Sequence, residues 1–300
     1  MRYGFIGLGH LGGHLAASLL RHGFALTVHD RNRSAAEPLI AKGASWAETP
    51  SALAANCDAV ITCLPSPAVS EAVLTELLPG LRKGSTWIEM STLGRDEILR
   101  LAKLAEVHGV GVLECPVTGG VHCAAEGEIT VLVGGDSSLF KIHRPALQAM
   151  GGEIFHMGQL GSAAVIKIIT NMLAFIHLVA AGEALMLAKK GGLDLAQAFH
   201  AIRASSGNSF VHETESQLVL NGSYDIGFTM DLACKDLGFA MGMSREFGVP
   251  LELARRTAEI FQQGRAAYGG QAQSTQIVKL LEDALETDLR APGFPAKLTD

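Results

Sequence analysis

Apolar residues in the first half of the chain gather in short runs, at 2–7, 25–30, 58–64, 86–90 and 110–115. Runs of that length, rich in Val, Ile and Leu, predict buried strands. The stretches between them, among them Leu11–Arg21, Arg33–Lys42 and Arg95–His108, carry the three-to-four-residue period of helices. Repeated strand–helix units make a parallel, doubly wound sheet with both faces covered. Glu128–Val133, before Gly134-Gly135, and Gly152–His156 read as further strands.

After Gly161 the strand signals stop. Residues 161–190 predict one long helix closed by Gly191-Gly192, and further helices are expected near 195–203, 228–246, 251–267 and 274–285. The expected organisation is therefore a sheet domain at 1–162 and an all-α domain at 163–300, joined through the long helix, with 291–300 as a loose tail. The apolar stretch 168–188 is long enough for a membrane span, but it contains Asn171, His177 and Glu183. Polar groups inside a span are costly, and a helix apolar nearly all round is also what a protein interior takes. No membrane association is expected.

The chain has 300 residues, enough for two domains, and charged residues make up 18%, against about 25% in a typical soluble domain. So little charge points to a homodimer or homotetramer. The net charge is −6 without a basic run, which argues against nucleic acid. Cys57, Cys63, Cys115, Cys123 and Cys234 are scattered and odd in number, suiting a reducing cytoplasm and neither a disulfide framework nor a metal site. The N-terminus enters the first strand directly, so no targeting segment is expected.

Chemistry enters at Gly7-Leu8-Gly9-His10-Leu11-Gly12, between the first strand and the first helix. The first glycine permits a tight turn, the second lets the backbone approach a pyrophosphate, and the third lets helix and strand pack closely. The second strand ends in Asp30, eighteen residues after Gly12, where an acid accepts a hydrogen bond from the ribose 2′-OH of NAD. This is a Rossmann-type dinucleotide signature. Asp30 favours NAD, while Arg31 and Arg33 are positioned to hold the 2′-phosphate of NADP as the alternative.

Lys167 and Asn171 stand four apart on the long helix and share one face; a lysine among Ile, Leu and Ala is costly unless paired or exposed. Pro116-Val117-Thr118-Gly119-Gly120 follows the fifth strand, at the carboxyl end where such sheets bind ligands, and offers a hydroxyl and backbone N–H groups to an anion. Glu89-Met90-Ser91-Thr92 and Leu64-Pro65-Ser66 lie on the same edge. Ser205–Phe210, which includes Asn208, is expected to line the far wall of a substrate pocket. His122 and His177 are competing acid–base candidates, each read more readily as a surface or core histidine.

These blocks, with Gly127, Gly134-Gly135, Gly161 and Phe228 with Lys235-Asp236-Leu237, occur in an order that resembles the β-hydroxyacid dehydrogenases. That family includes 3-hydroxyisobutyrate dehydrogenases, tartronate semialdehyde reductases and the larger 6-phosphogluconate dehydrogenases. The resemblance reaches to about residue 290. It implies that Lys167 is the catalytic lysine and Asn171 the residue bonding substrate beside it. It further implies that Thr118, Gly119 and Gly120 hold the substrate carboxylate, with Phe228 and Lys235 also at the substrate, where the far-wall stretch adds Asn208. Gly7, Gly9, His10, Leu11, Gly12, Asp30, Arg31, Leu64 and Pro65 would hold the cofactor, with Thr92 and Lys235 at its nicotinamide end. Leu11 replaces a usual methionine, and Thr118 and Thr170 replace a common serine and asparagine; no group the chemistry needs is lost.

The implied activity is reversible NAD(P)-dependent hydride transfer at the hydroxyl carbon of a short 3-hydroxy acid, such as 3-hydroxyisobutyrate, serine or a glycerate-like acid. Lys167 is the general acid/base, its pKa lowered by burial and by the oxidised nicotinamide. The alternatives are a glyoxylate, succinic semialdehyde or imine reductase on the same scaffold, and a dinucleotide-binding module without turnover. Retention of Lys167 argues against the imine reductase and the inert module.

Overall fold

The computed structural model describes residues 1–298. Residues form two compact units, Met1–Lys167 and a second from Ile168 onward.

In the first unit, β1 (Arg2–Ile6), α1 (Gly12–Arg21) and β2 (Ala25–His29) open the sheet. A 3-10 turn at Arg33–Ala36 and a single helical turn, α2 (Glu37–Ile40), follow where one longer helix is predicted. Asn32 accepts from the Ser34 N–H and Pro38 sits in the first turn, so the segment starts afresh instead of propagating. β3 (Ser45–Trp46), α3 (Pro50–Ala55), β4 (Ala59–Thr62) and α4 (Pro67–Leu77) come next. Thr49 and Ser66 cap the two helices ahead of a proline at the first helical position, where its missing N–H costs nothing. Then come β5 (Thr86–Glu89), α5 (Arg95–Val107), β6 (Gly111–Glu114), β7 (Val117–Thr118) and α6 (Val121–Glu126). The unit continues with β8 (Thr130–Gly135), α7 (Ser137–Met150), β9 (Ile154–Gly158) and the start of α8 (Ser162–Lys190).

The strand order is β3-β2-β1-β4-β5-β6-β8-β7, with β9 paired to β8. Pairing is parallel from β3 to β6, but β8 runs antiparallel to both β6 and β7. The parallel, doubly wound sheet expected from the sequence is present, and β8 joins its edge in the opposite direction. The two-residue β7 and the short α6 return the chain without a full crossover helix, so β8 must enter reversed. Two apolar clusters, one around Phe5, Leu15 and Ile61 and one around Leu53, Leu74 and Trp87, cover the sheet.

The second unit holds the rest of α8, then α9 (Leu195–Arg203), α10 (Phe210–Asn221), α11 (Met230–Phe247) and α12 (Glu252–Tyr268). The helix expected near 274–285 is instead a 3-10 turn, Ser274–Val278, followed by α13 (Lys279–Ala284). Asp194, Ser209 and Thr229 cap α9, α10 and α11, and Gly222 and Gly248 close α10 and α11 with φ of +90° and +66°. Phe175, Leu178, Phe261 and Ile277 belong to its core.

The described part of the expected loose tail is fastened. Ala291 N–H donates to the Leu220 carbonyl at 3.0 Å, Asn221 Nδ2 donates to the Phe294 carbonyl at 2.8 Å, and Phe294 packs on Phe199 with ring centroids 4.9 Å apart. Residues 299–300 lie outside the described part. α8 has the length and apolarity of a membrane span, yet Ile168, Phe175, Leu178, Leu185 and Met186 along it are buried in protein.

Candidate active site

β1 hands the chain to α1 through a turn that side chains could not occupy. Gly7 has φ +96°, and a Cβ there would stand 2.2 Å from the Cys63 carbonyl oxygen. A Cβ on Gly12 would stand 1.9 Å from the Gly7 carbonyl oxygen, so α1 seats on its own turn only with glycine. Gly9 differs: nothing lies within 4 Å of its absent Cβ, and both it and His10 are exposed. No side chain caps α1; the Gly13 and His14 N–H groups bond to the Gly9 and Leu11 carbonyls, and the positive end of the helix stays at the turn, which suits an anion. Asp30 is drawn to the turn, its Oδ2 accepting from the Leu8 N–H at 2.7 Å and its Oδ1 from the Asn32 N–H at 2.8 Å. Arg33 lies over the Trp46 ring, 5.4 Å from its centroid, and pairs with Glu48 at 3.1 Å; Arg31 is exposed. An open glycine, an uncapped helix start and a held acid fit an adenine dinucleotide.

The neighbouring strand ends are tied by two buried acids that sequence reasoning passed over. The Leu64 N–H donates to Ser91 Oγ at 2.7 Å; the Ser91 hydroxyl donates to Glu89, as does its N–H at 2.7 Å. Burial pushes the Glu89 carboxyl up, opposed by the hydrogen bonds from Ser91. This cluster sets the loop of Leu64 and Pro65 beside Ser91 and the half-buried Thr92. One strand over, Glu114 accepts from the N–H groups of Ala163 and Ala164, each at 3.0 Å. Burial pushes its pKa up to about 7, against the pull of the Ala163, Ala164 and Gly161 N–H groups and of Arg95. Thr118 pairs with Thr130 across the β7–β8 ladder, and Gly119 and Gly120 follow with φ of +124° and +92°, conformations that favour glycine.

α8 carries Lys167 and Asn171, 7% and 9% exposed. In the helical unit the Asn171 amide donates to Asp236 Oδ2 at 2.6 Å, while Asp236 Oδ1 faces Lys235 Nζ at 3.0 Å. Lys235 Nζ also lies over the Phe239 ring, 5.2 Å from its centroid. Asn171 and Lys235, far apart in sequence, thus meet through Asp236, an acid with no role foreseen; its only signal was adjacency to Lys235. Phe228 packs against Phe175 with centroids 5.9 Å apart. Asn208 donates to Glu213 Oε1 at 2.6 Å at the start of α10, and Ser205, Ser206 and Gly207 before it are exposed. His122 is half-buried beside Gly120, and His177 is exposed.

A Rossmann-type sheet with this glycine turn defines an NAD(P)-binding oxidoreductase. Residues 2–158 match the family described as the NAD binding domain of 6-phosphogluconate dehydrogenase. Residues 161–281 match the NAD-binding domain of NADP-dependent 3-hydroxyisobutyrate dehydrogenase. The chain is 32% identical to 2-(hydroxymethyl)glutarate dehydrogenase of Eubacterium barkeri, over 94% of this chain and 95% of that one. It is 33% identical to an NAD-dependent L-serine dehydrogenase of Pseudomonas aeruginosa, over 79% and 83%. A structure of Mycobacterium tuberculosis 3-hydroxyisobutyrate dehydrogenase with L-serine superposes with a TM-score of 0.85 at 30% identity, covering 94% and 99%. An imine reductase from Myxococcus stipitatus, at 18% identity and a TM-score of 0.63, shares the fold alone. The chain belongs to the β-hydroxyacid dehydrogenase family and is an NAD(P)-dependent oxidoreductase of the CH–OH class.

Proposed function

We propose that this enzyme interconverts a short 3-hydroxy acid and its carbonyl partner, with Lys167 as general acid/base. The observation that carries this reading is that Lys167 and Asn171 are both buried and stand one helical turn apart on the same face of α8. Gly7, Gly9, His10, Leu11, Gly12, Asp30, Leu64 and Pro65 would hold NAD(P), which when bound would supply the hydride acceptor or donor. Lys167 takes the hydroxyl proton during oxidation and returns it during reduction. Asn171 orients the substrate hydroxyl, its amide in turn held by Asp236. Thr118, Gly119 and Gly120 anchor the carboxylate, and Thr92, Lys235, Phe228 and Asn208 complete the surroundings of substrate and nicotinamide. Such positioning supplies several kcal/mol of the barrier.

NAD is the preferred cofactor, because Asp30 is held at the turn while Arg33 is engaged by Glu48 and Trp46. The substrate range is 3-hydroxyisobutyrate, serine and glycerate-like acids, supported by the activities named for its relatives. The chain assembles as a homodimer or homotetramer, supported by the apolar side chains Leu173 and Leu187 that α8 leaves exposed within one chain. Its five cysteines are free, which suits a reducing cytoplasm. The test is Lys167→Ala. Turnover on short 3-hydroxy acids should fall on the order of 10²–10⁴-fold, with NAD affinity retained; undiminished turnover overturns the proposal.

A further inference from the structure

We propose that Glu114 is a positioning residue that fixes the first turn of α8, and with it Lys167, to the strand leading into the Thr118–Gly120 turn. The inference rests on the acid–base reading of Lys167. Glu114 is the last residue of β6 and is 2% exposed. Its Oε1 accepts from the Ala163 N–H and its Oε2 from the Ala164 N–H, both at 3.0 Å. These are first-turn amides that no carbonyl of the helix itself can satisfy. A carboxylate also places negative charge at the positive end of a 29-residue helix.

Two glycines make the contact possible. Gly134 is the ladder partner of Glu114, and a Cβ there would stand 2.1 Å from Glu114 Oε1. Gly161, with φ +92°, turns the chain into α8 just before the two bonded amides. Lys167 lies four residues after Ala163, on the same face of the helix one turn on. Thr118 lies four residues after Glu114 along the chain. One buried carboxylate therefore ties the helix bearing the proposed proton carrier to β6, the strand that leads into the proposed carboxylate anchor. Both oxygens are needed, since an amide would set an NH₂ against one of the two N–H groups.

The experiment compares Glu114→Gln and Gly134→Ala with the intact enzyme at a temperature where each is folded by circular dichroism. kcat, KM for a turned-over 3-hydroxy acid and the NAD dissociation constant are measured. Glu114→Gln is expected to lower kcat at least ten-fold with the NAD constant within two-fold, and Glu114→Asp, which restores the carboxylate, to recover part of that loss. Gly134→Ala crowds the same carboxylate from the other side and should lower kcat likewise, which keeps the test decisive should Glu114→Gln fail to fold. A purely stabilising cap would lower the melting temperature and leave kcat unchanged. Wild-type kcat in a folded Glu114→Gln or Gly134→Ala protein overturns the proposal. Lys167→Ala is run beside them. If it is inactive while the Glu114 and Gly134 variants are not, only this inference fails; if it is active, the acid–base reading itself fails.

Discussion

The sheet unit and the helical unit solve the same problem, holding polar chemistry in place, by different means. In the sheet unit backbone does most of the work: Gly7, Gly9 and Gly12 shape the turn, and the acids Asp30, Glu89 and Glu114 accept largely from main-chain N–H groups. In the helical unit side chain meets side chain. Asn171, Asp236 and Lys235 form one chain of contacts. A second runs through Glu282, which accepts from Arg290, the Tyr224 hydroxyl and the Leu289 N–H. Helices satisfy their own backbone, so polar links between them must come from side chains. Strand ends leave N–H groups and carbonyls to spare, and a glycine or a single acid organises them.

That contrast can be broken by experiment, and the largest effect belongs to the second network. Glu282→Ala strands Arg290, Tyr224 and the Leu289 N–H, and should cost about 3 kcal/mol in urea unfolding. NAD affinity measured below the transition should stay within two-fold. An equal loss of NAD affinity would show that the two units do not hold their polar groups independently. Gly12→Ala is the opposite case: it should cost roughly 1–3 kcal/mol in stability and weaken NAD binding at least ten-fold by titration fluorescence. Unchanged NAD affinity would mean that the turn does not hold the cofactor.

A third test uses the sheet core. His143 is buried, its ring bonded to the Tyr3 hydroxyl at 3.0 Å, and burial lowers its pKa from 6.5 to about 4. As pH falls from 6.5 toward 4 the unfolded chain takes up this proton first, so stability drops, by at most about 1.4 kcal/mol per pH unit from this group. Glu114, raised to about 7, acts in the opposite sense between pH 4.5 and 7, favouring the folded state at the acidic end. His143→Leu should therefore flatten the acid fall in melting temperature relative to wild type; an unchanged slope would refute the assignment to His143. The smallest effect expected is at the cofactor: Asp30→Asn should shift the kcat/KM ratio toward NADP about five-fold, on the order of 1 kcal/mol. A wild-type preference for NADP would show instead that the arginines outweigh the acid.

The elements legible along the chain were those whose pattern is local. Strands β1, β2, β4, β5 and β6 stood out as apolar runs, and α8 as a long apolar helix between Gly161 and Gly191. The two-residue strands β3 and β7 carried no period to detect. α7 and α10 were not read from the sequence, although Asp136 and Ser209 stand at their caps. β8 was read as a strand, but its reversal was invisible because a strand's direction depends on what lies beside it, not on its residues. Glu89 and Glu114 each stand one residue before the end of an apolar run, a signal present but easily taken for a solvated strand end.

By itself the sequence determined the dinucleotide turn and the doubly wound sheet, because glycine spacing and hydrophobic period act over a few residues, and the family was legible through the resemblance of its ordered motifs. Only the tertiary structure decided where Glu114, Asp236 and the C-terminal segment bond. Those contacts join residues 49, 65 and 71 positions apart. Such pairings are chosen by the packing of whole elements, which no local pattern records.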